Sequence, residues 1–120
     1  MTHKTTRAEE RYFEARVKHW QNVLSLGDWR IDAYREKLVD RSAECQQYDE
    51  AQGAHIRINT ELAHKPNRDW LDQVALHEVC HLLLAEMKRQ IYSRVVTDNM
   101  ANIAEHAVIR RLENALLGQP

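Results

Sequence analysis

Several features that mark common protein classes are scarce or missing in this chain of 120 residues. It has two cysteines, Cys45 and Cys80, and no C-x-x-C pair. A disulfide framework is therefore not indicated, and each cysteine is best interpreted as a small buried apolar residue. With three glycines and two prolines, the chain has no low-complexity segment or domain linker. We expect a single domain spanning residues 1–120.

An excess of charge of one sign is missing as well. The net charge is −1 at pH 7, and this balance lacks the electrostatic footprint of a nucleic-acid-binding protein. No apolar run approaches the roughly 20 residues of a membrane-spanning helix, and the N-terminus lacks the apolar core of a signal peptide. We therefore expect a cytoplasmic protein with no nucleic-acid or membrane partner, and flexible tails at residues 1–7 and 118–120.

The most informative feature that is present is an H-E-x-x-H pattern, His77-Glu78-Val79-Cys80-His81. Two histidines at this spacing lie one above the other on one face of a helix. Their imidazoles can then bind one Zn²⁺ together, while the glutamate beside the first histidine can reach a metal-bound water. The pattern predicts a zinc site with His77 and His81 as ligands and Glu78 as the catalytic base.

Hydrophobic periodicity predicts the order of helices and strands around this motif. One helix, three strands and two further helices are expected at about 8–26, 29–34, 43–49, 54–59, 70–89 and 98–117. Asp69 is the expected N-cap of the motif helix. The second and third strands are close enough in sequence to form an antiparallel hairpin. This order favours an α+β fold, with helices stacked on a small three-stranded, mostly antiparallel sheet.

A catalytic zinc site normally has three protein ligands and one water, so a third ligand is needed. The metzincin pattern is excluded, because Met87 stands where that class has its third histidine. The final helix offers Glu105 and His106 instead. Its predicted apolar stripe consists of Ala101, Ala104, Val108, Leu112, Ala115 and Leu116. Glu105 then lies on the flank of the stripe and His106 on the opposite, wet side. We expect Glu105 to be the third ligand; the alternative is that it pairs with Arg111 or Arg94.

Four segments resemble the small phage- and prophage-encoded metallopeptidases, which are similar to minimal gluzincins. These segments are residues 28–31, 54–58, 74–84 and 105–112. The resemblance extends over about residues 27–117, and the H-E-x-x-H motif is its specific part. It implies a zincin-like core in which the third strand edges a cleft above the active-site helix. That group often has an acidic residue where this chain has His106, so a histidine ligand there stays open.

These residues together predict a zinc-dependent metalloendopeptidase. The zinc would lower the pKa of its bound water and polarise the substrate carbonyl. Glu78 would take a proton from that water and pass it to the leaving amine. A peptide substrate could add to the edge of the third strand. Tyr92, His106 and His55 are the candidates for stabilising the oxyanion.

Three other hypotheses stay open at this point. One is a non-catalytic, zinc-stabilised interaction module of phage origin, although structural zinc usually has four ligands, often cysteines, and only Cys80 is near. Another is a different zinc hydrolase, such as an RNA-processing enzyme, which would favour a basic groove. The last is no metal at all, with His77 and His81 as core histidines. Glu78 separates catalysis from a structural site, because a structural site requires no general base.

Overall fold

The computed structural model describes residues 2–48, 52–85 and 98–117, which form three helices and five strands. In chain order these are β1 (His3–Lys4), α1 (Arg7–Val23), β2 (Arg30–Glu36), β3 (Ala43–Tyr48), β4 (Gly53–Asn59), β5 (Glu61–Leu62), α2 (Arg68–Leu83) and α3 (Asp98–Leu117). The expected α+β class is confirmed. Within these ranges, no helix combines the length and the apolar character needed to cross a membrane.

Helix α1 begins and ends through local signals. Thr6 and Glu9 form a capping box, in which the Glu9 N–H donates to Thr6 Oγ1 and the Thr6 N–H donates to Glu9 Oε1. These bonds satisfy two backbone groups that the first turn leaves without a helical partner. The helix ends before the expected Gly27, because Ser25 already adopts a left-handed φ of 57°. Its buried face consists of Phe13, Val17 and Trp20.

The N-terminal residues belong to the folded structure. We expected residues 1–7 to form a flexible tail, but strand β1 pairs antiparallel with β5. Thr5 is buried, and its hydroxyl donates a hydrogen bond of 2.6 Å to the Asn59 carbonyl. The missed strand pair is only two residues long, so its sequence carries no readable alternation.

The main sheet has the strand order β2-β4-β3. The predicted hairpin is confirmed, because β3 pairs antiparallel with β4. Strand β2 instead pairs parallel with β4, so the expectation of a mostly antiparallel sheet holds for one of its two pairings. The expectation that the third strand, β4, forms the edge of the cleft is wrong. β4 is the central strand, because it pairs with β3 on one side and with β2 on the other.

Strand β4 separates the apolar and polar faces of the sheet. Ala54, Ile56 and Ile58 alternate into the core and are buried, as the period of two requires. On the opposite face Arg57 forms ion pairs with Glu36 on β2 and Glu44 on β3, at 2.9 and 2.8 Å. The outer face is therefore held together by charge and the inner face by hydrophobic packing.

Helix α2 packs against α1 and carries the H-E-x-x-H motif. Its N-cap is Asn67, whose side chain accepts from the Trp70 N–H at 2.8 Å, so the expected cap at Asp69 is wrong by two residues. Between the helices, Arg16 and Trp20 both donate to the Asp72 carboxylate, at 2.6 and 2.8 Å. The helix ends at Leu83, with Leu84 as its C-cap, and residues 86–89 of the expected helix lie outside the described residues. The expected connection at 91–96 lies outside the described residues.

Candidate metal centre

The burial of α2 decides which way the motif histidines face. Leu76, Val79 and Cys80 are completely buried in the core, which confirms that Cys80 is a packed apolar residue. Burial raises the pKa of its thiol to about 12, so it does not offer the thiolate that a metal would need. His77 and His81 lie on the other side of the helix and are partly exposed, with their ring centroids 5.2 Å apart.

A third histidine, His106 on α3, lies close to both of these rings. Its ring centroid lies 5.8 Å from that of His77 and 5.2 Å from that of His81. One nitrogen atom from each of the three rings lies within 4.8 Å of the others. Nitrogen ligands of a tetrahedral zinc ion, each about 2.0–2.1 Å from the metal, lie about 3.3–3.4 Å apart. The rings would therefore move inward, by about 1 to 1.5 Å at the widest pair, to hold one metal ion.

The second ring nitrogen of each histidine faces an acceptor. His77 Nδ1 lies 3.1 Å from Glu113 Oε1, and His81 Nδ1 lies 3.3 Å from Glu105 Oε2. His106 Nδ1 lies 2.8 Å from the backbone carbonyl of Asn102. Ionised carboxylates and carbonyls only accept hydrogen bonds, which favours the proton on Nδ1 of each ring. Nε2 is then the nitrogen with a free lone pair for a metal.

Glu105, the expected third ligand, is not part of the group of converging ligand atoms found among the described residues. Its side chain is 2% exposed, and its carboxylate lies behind His81, at the nitrogen that the metal would not use. The expectation that His106 lies on the wet side of the helix, away from Glu105, is wrong, because both residues face α2. The side chains of Arg111 and Arg94, the alternative partners of Glu105, lie outside the described part of the chain.

The error came from the helical phase assigned to α3. Among its described side chains, the buried ones are Glu105, Ile109 and Glu113. Val108, part of the expected apolar stripe, is 36% exposed. Among the described side chains, the fully buried ones on this face are thus two carboxylates and Ile109, while Leu112 and Leu117 are partly buried against the core. Because polar and apolar residues share the face, hydrophobicity alone gives a poor guide to its phase. The signal that could have revealed it is the repeat of two glutamates eight residues apart with Ile109 midway.

Glu78 is the buried acid beside this cluster, with 7% of its surface exposed. Burial, together with the negative charges of Glu44 and Glu113, raises the pKa of its carboxyl to about 8, although the charge of Arg41 opposes this shift. Burial also lowers the pKa of His81 despite the neighbouring Glu105. The site thus favours a neutral imidazole as ligand and a carboxyl that readily exchanges a proton near neutral pH.

The histidines open onto a cleft of about 540 Å³ between the helices and β3. Its walls include His77, Glu78, His81, Asn102, Glu105 and His106 from the helices, and Asp40, Arg41, Ala43, Glu44, Cys45 and Gln47 from β3 and the loop before it. Gln47 also donates to the His81 carbonyl at 3.3 Å, which ties the edge strand to the motif helix. The strand that flanks the cluster is therefore β3.

Two other candidates from the sequence lie elsewhere. His55 is on the outer face of the sheet, where its Nδ1 lies 2.6 Å from the Tyr34 hydroxyl, so its position does not suit an oxyanion role at the histidine cluster. Tyr92 lies outside the described residues. A larger cavity, of about 850 Å³, lies between α1 and β2 and includes His55. It contains none of the H-E-x-x-H residues, so cavity size and chemistry do not coincide in this protein.

Comparison with known proteins identifies no relative. The chain matches no protein family, no curated protein and no solved structure. The case for a function therefore comes from the side chains of the cleft.

Proposed function

We propose that this protein is a zinc-dependent hydrolase of peptide bonds with a zincin-like active site. In this proposal His77, His81 and His106 hold the metal and Glu78 is the general base. The observation that carries it is the convergence of three imidazoles, each with Nδ1 facing an acceptor, beside a buried carboxylate in one cleft. Three histidines and an open fourth position form a ligand set that catalytic zinc sites use. His106 replaces Glu105 as the proposed third ligand.

The reaction follows from the residues of the cleft. A zinc ion held by the three histidines would supply Lewis-acid polarisation of the substrate carbonyl and lower the pKa of a water in its open position. Glu78 accepts one proton from the water while the oxygen of that water attacks the carbonyl carbon of the substrate. Glu78 then delivers that proton to the amide nitrogen as the C–N bond breaks. The products are a free carboxylate and a free amine.

The cleft favours an extended peptide as the substrate. Strand β3 has only β4 as a partner within the described sheet, so its other edge can accept a substrate segment as an added strand. A second pocket of about 350 Å³ shares His77 and Glu78 with the cleft and adds Trp70 and Val74 to its wall. A side chain of the peptide could enter there. The resemblance to phage-encoded enzymes is compatible with action in the cytoplasm of a bacterial host.

A non-catalytic zinc module is the second candidate. The three histidines come from two helices, and Ile109 is the one apolar side chain among the buried described residues of α3. A metal that joins the helices would therefore contribute to the docking of α3, as structural zinc sites do. A purely structural site gives no role to Glu78, which is buried at a cost of desolvation.

The substitution Glu78→Gln distinguishes these candidates. We expect the variant to keep about one zinc per chain by elemental analysis, because no ligand is lost. Hydrolysis of a mixed peptide library, followed by mass spectrometry, should fall by about 10²–10⁴-fold. Glu14→Gln, which removes an exposed carboxylate on α1, is the control for the loss of one charge. Cleavage by Glu78→Gln at the parent rate would rule out the proposed base.

A further inference from the structure

Helix α3 contributes more to the metal centre than the ligand His106. The acceptors at Nδ1 of all three histidines come from this helix: the Asn102 carbonyl, the Glu105 carboxylate and the Glu113 carboxylate. The same helix therefore fixes how all three imidazoles can be oriented. Helix α2 supplies two of the rings but none of these acceptors.

The burial of the two carboxylates is the second observation. Glu105 is 2% exposed and Glu113 is 6% exposed, although ionised carboxylates are almost never buried without a partner. Burying them costs free energy that apolar side chains at the same positions would not cost. Both carboxylates lie against the histidines that the H-E-x-x-H motif supplies. Their placement relates to the chemistry of the rings, since packing alone would favour apolar residues here.

We infer that Glu105 and Glu113 are positioning residues for the metal ion. Glu113 would hold His77, and Glu105 would hold His81, each with the proton on Nδ1 and Nε2 directed at the metal. A carboxylate at Nδ1 also makes the opposite nitrogen a stronger ligand, and two negative charges offset the charge of a divalent cation. This inference rests on the proposed function, because it requires a metal at the three histidines.

The test measures zinc affinity in the full-length chain, without reference to catalysis. Zinc dissociation constants are obtained by competition with a chromophoric chelator for the parent, Glu105→Ala, Glu105→Gln, Glu113→Ala and Glu113→Gln. We expect each alanine variant to bind zinc about 10–100-fold more weakly. The glutamine variants should lose less, because the amide oxygen still accepts from Nδ1–H. Glu14→Gln is the matched control and should stay within about twofold of the parent.

A spectroscopic measurement separates positioning from a general effect on folding. ¹⁵N spectra of the imidazoles in the zinc-loaded parent should show protonated Nδ1 and metal-bound Nε2 for three histidines. Glu113→Ala should alter the Nδ1 signal of His77, and Glu105→Ala that of His81. If circular dichroism shows that an alanine variant does not fold, the Nδ1 signals of the corresponding glutamine variant are compared with those of the parent instead.

The outcomes that would overturn the inference are distinct from those that would overturn the function. If the parent binds zinc and all four variants stay within about twofold of it, the inference fails and the metal site stands. If Glu105→Gln loses zinc as completely as His77→Ala, Glu105 is a direct ligand and the inference fails for that residue. If the parent binds no zinc, the proposed function fails and the inference fails with it.

Discussion

The two helices that supply the histidines, α2 and α3, are held in place by different forces. The buried apolar residues of α2 are Leu71, Ala75, Leu76, Val79, Cys80 and Leu82. Among the described side chains of α3, Ile109 is the one fully buried apolar residue. Complete burial of a large apolar side chain is worth about 1.5–3 kcal/mol, so hydrophobic packing is the main force on α2, and the hydrogen bonds of Arg16 and Trp20 to Asp72 add to it. In α3, Leu112 and Leu117 add partly buried apolar contacts, and Glu113 and Glu105 contact His77 and His81 across the interface with α2.

This difference explains why the buried face could be predicted from the sequence for α2 but not for α3. In α2 the buried residues are apolar except for Glu78, so the motif histidines had to lie on the other side. In α3 large apolar residues lie on the exposed side instead, with Met100 at 60% and Ile103 at 63% exposure. A helix whose buried face is polar gives a misleading hydrophobic pattern, and its rotation depends on the partner across the interface.

The largest expected effect comes from the histidine that α3 contributes. His106→Ala should weaken zinc binding by more than about 100-fold, because it removes one of three ligands. Asn102→Ala is the matched control, since its backbone carbonyl, which faces His106, is kept. Chelator competition measures both. If His106→Ala holds zinc as tightly as the control, the proposed ligand set is wrong and α3 does not reach the metal.

The rotation of α3 can be tested with two neighbouring residues. Ile109→Ala should lower the free energy of unfolding by about 2–3 kcal/mol, near the low end for a buried aliphatic side chain, because α3 can shift to fill part of the space. Val108→Ala should change it by less than about 0.5 kcal/mol, since the residue is largely outside the core. Urea denaturation of both variants gives the comparison. A larger loss for Val108→Ala would restore the apolar stripe predicted from the sequence.

The smallest expected effect concerns a purely local signal, the capping box of α1. Burial opposes a low pKa at Glu9, but hydrogen bonds from the Thr6 N–H and His3 outweigh it, so the pKa lies below its ordinary value. A carboxylate with a lowered pKa stabilises the fold above the pKa of the unfolded chain, and this contribution disappears as the pH falls through the folded pKa. Glu9→Gln should therefore cost about 0.3–1 kcal/mol at pH 7.

The difference between Glu9→Gln and the parent should vanish in acid, where Glu9 is protonated in both states. Thermal unfolding at pH 7 and at successively lower pH values measures it. Glu14→Gln, on the exposed side of the same helix, should show no comparable dependence. A cost that stays constant down to the acid range would mean that the charge of Glu9 does not contribute.

Much of the fold could be predicted from short patterns. The spacing of apolar residues such as Phe13, Val17 and Trp20 predicted α1, and the alternation in residues 54–59 predicted β4. The predicted hairpin between β3 and β4 is confirmed. The parallel partner of β4 was not predicted, because strand pairing between β2 and β4 depends on which edge the hairpin leaves open. The two-residue strand β1 was missed because so short a segment has no periodicity.

The sequence by itself determined the residues His77, Glu78 and His81 as a unit, because their helical spacing and the apolar residues among them place two imidazoles on the face opposite the core. It also predicted that a third ligand would come from the last helix. Only the tertiary structure decided that His106 lies with the pair and that Glu105 and Glu113 lie behind it. That choice depends on how α3 is rotated against α2, which is set by contacts between residues far apart in the chain. The hydrophobic pattern placed Glu105 correctly on the buried flank, but it placed Glu113 and His106 on the outer face, whereas Glu113 is buried and His106 lies beside the motif histidines.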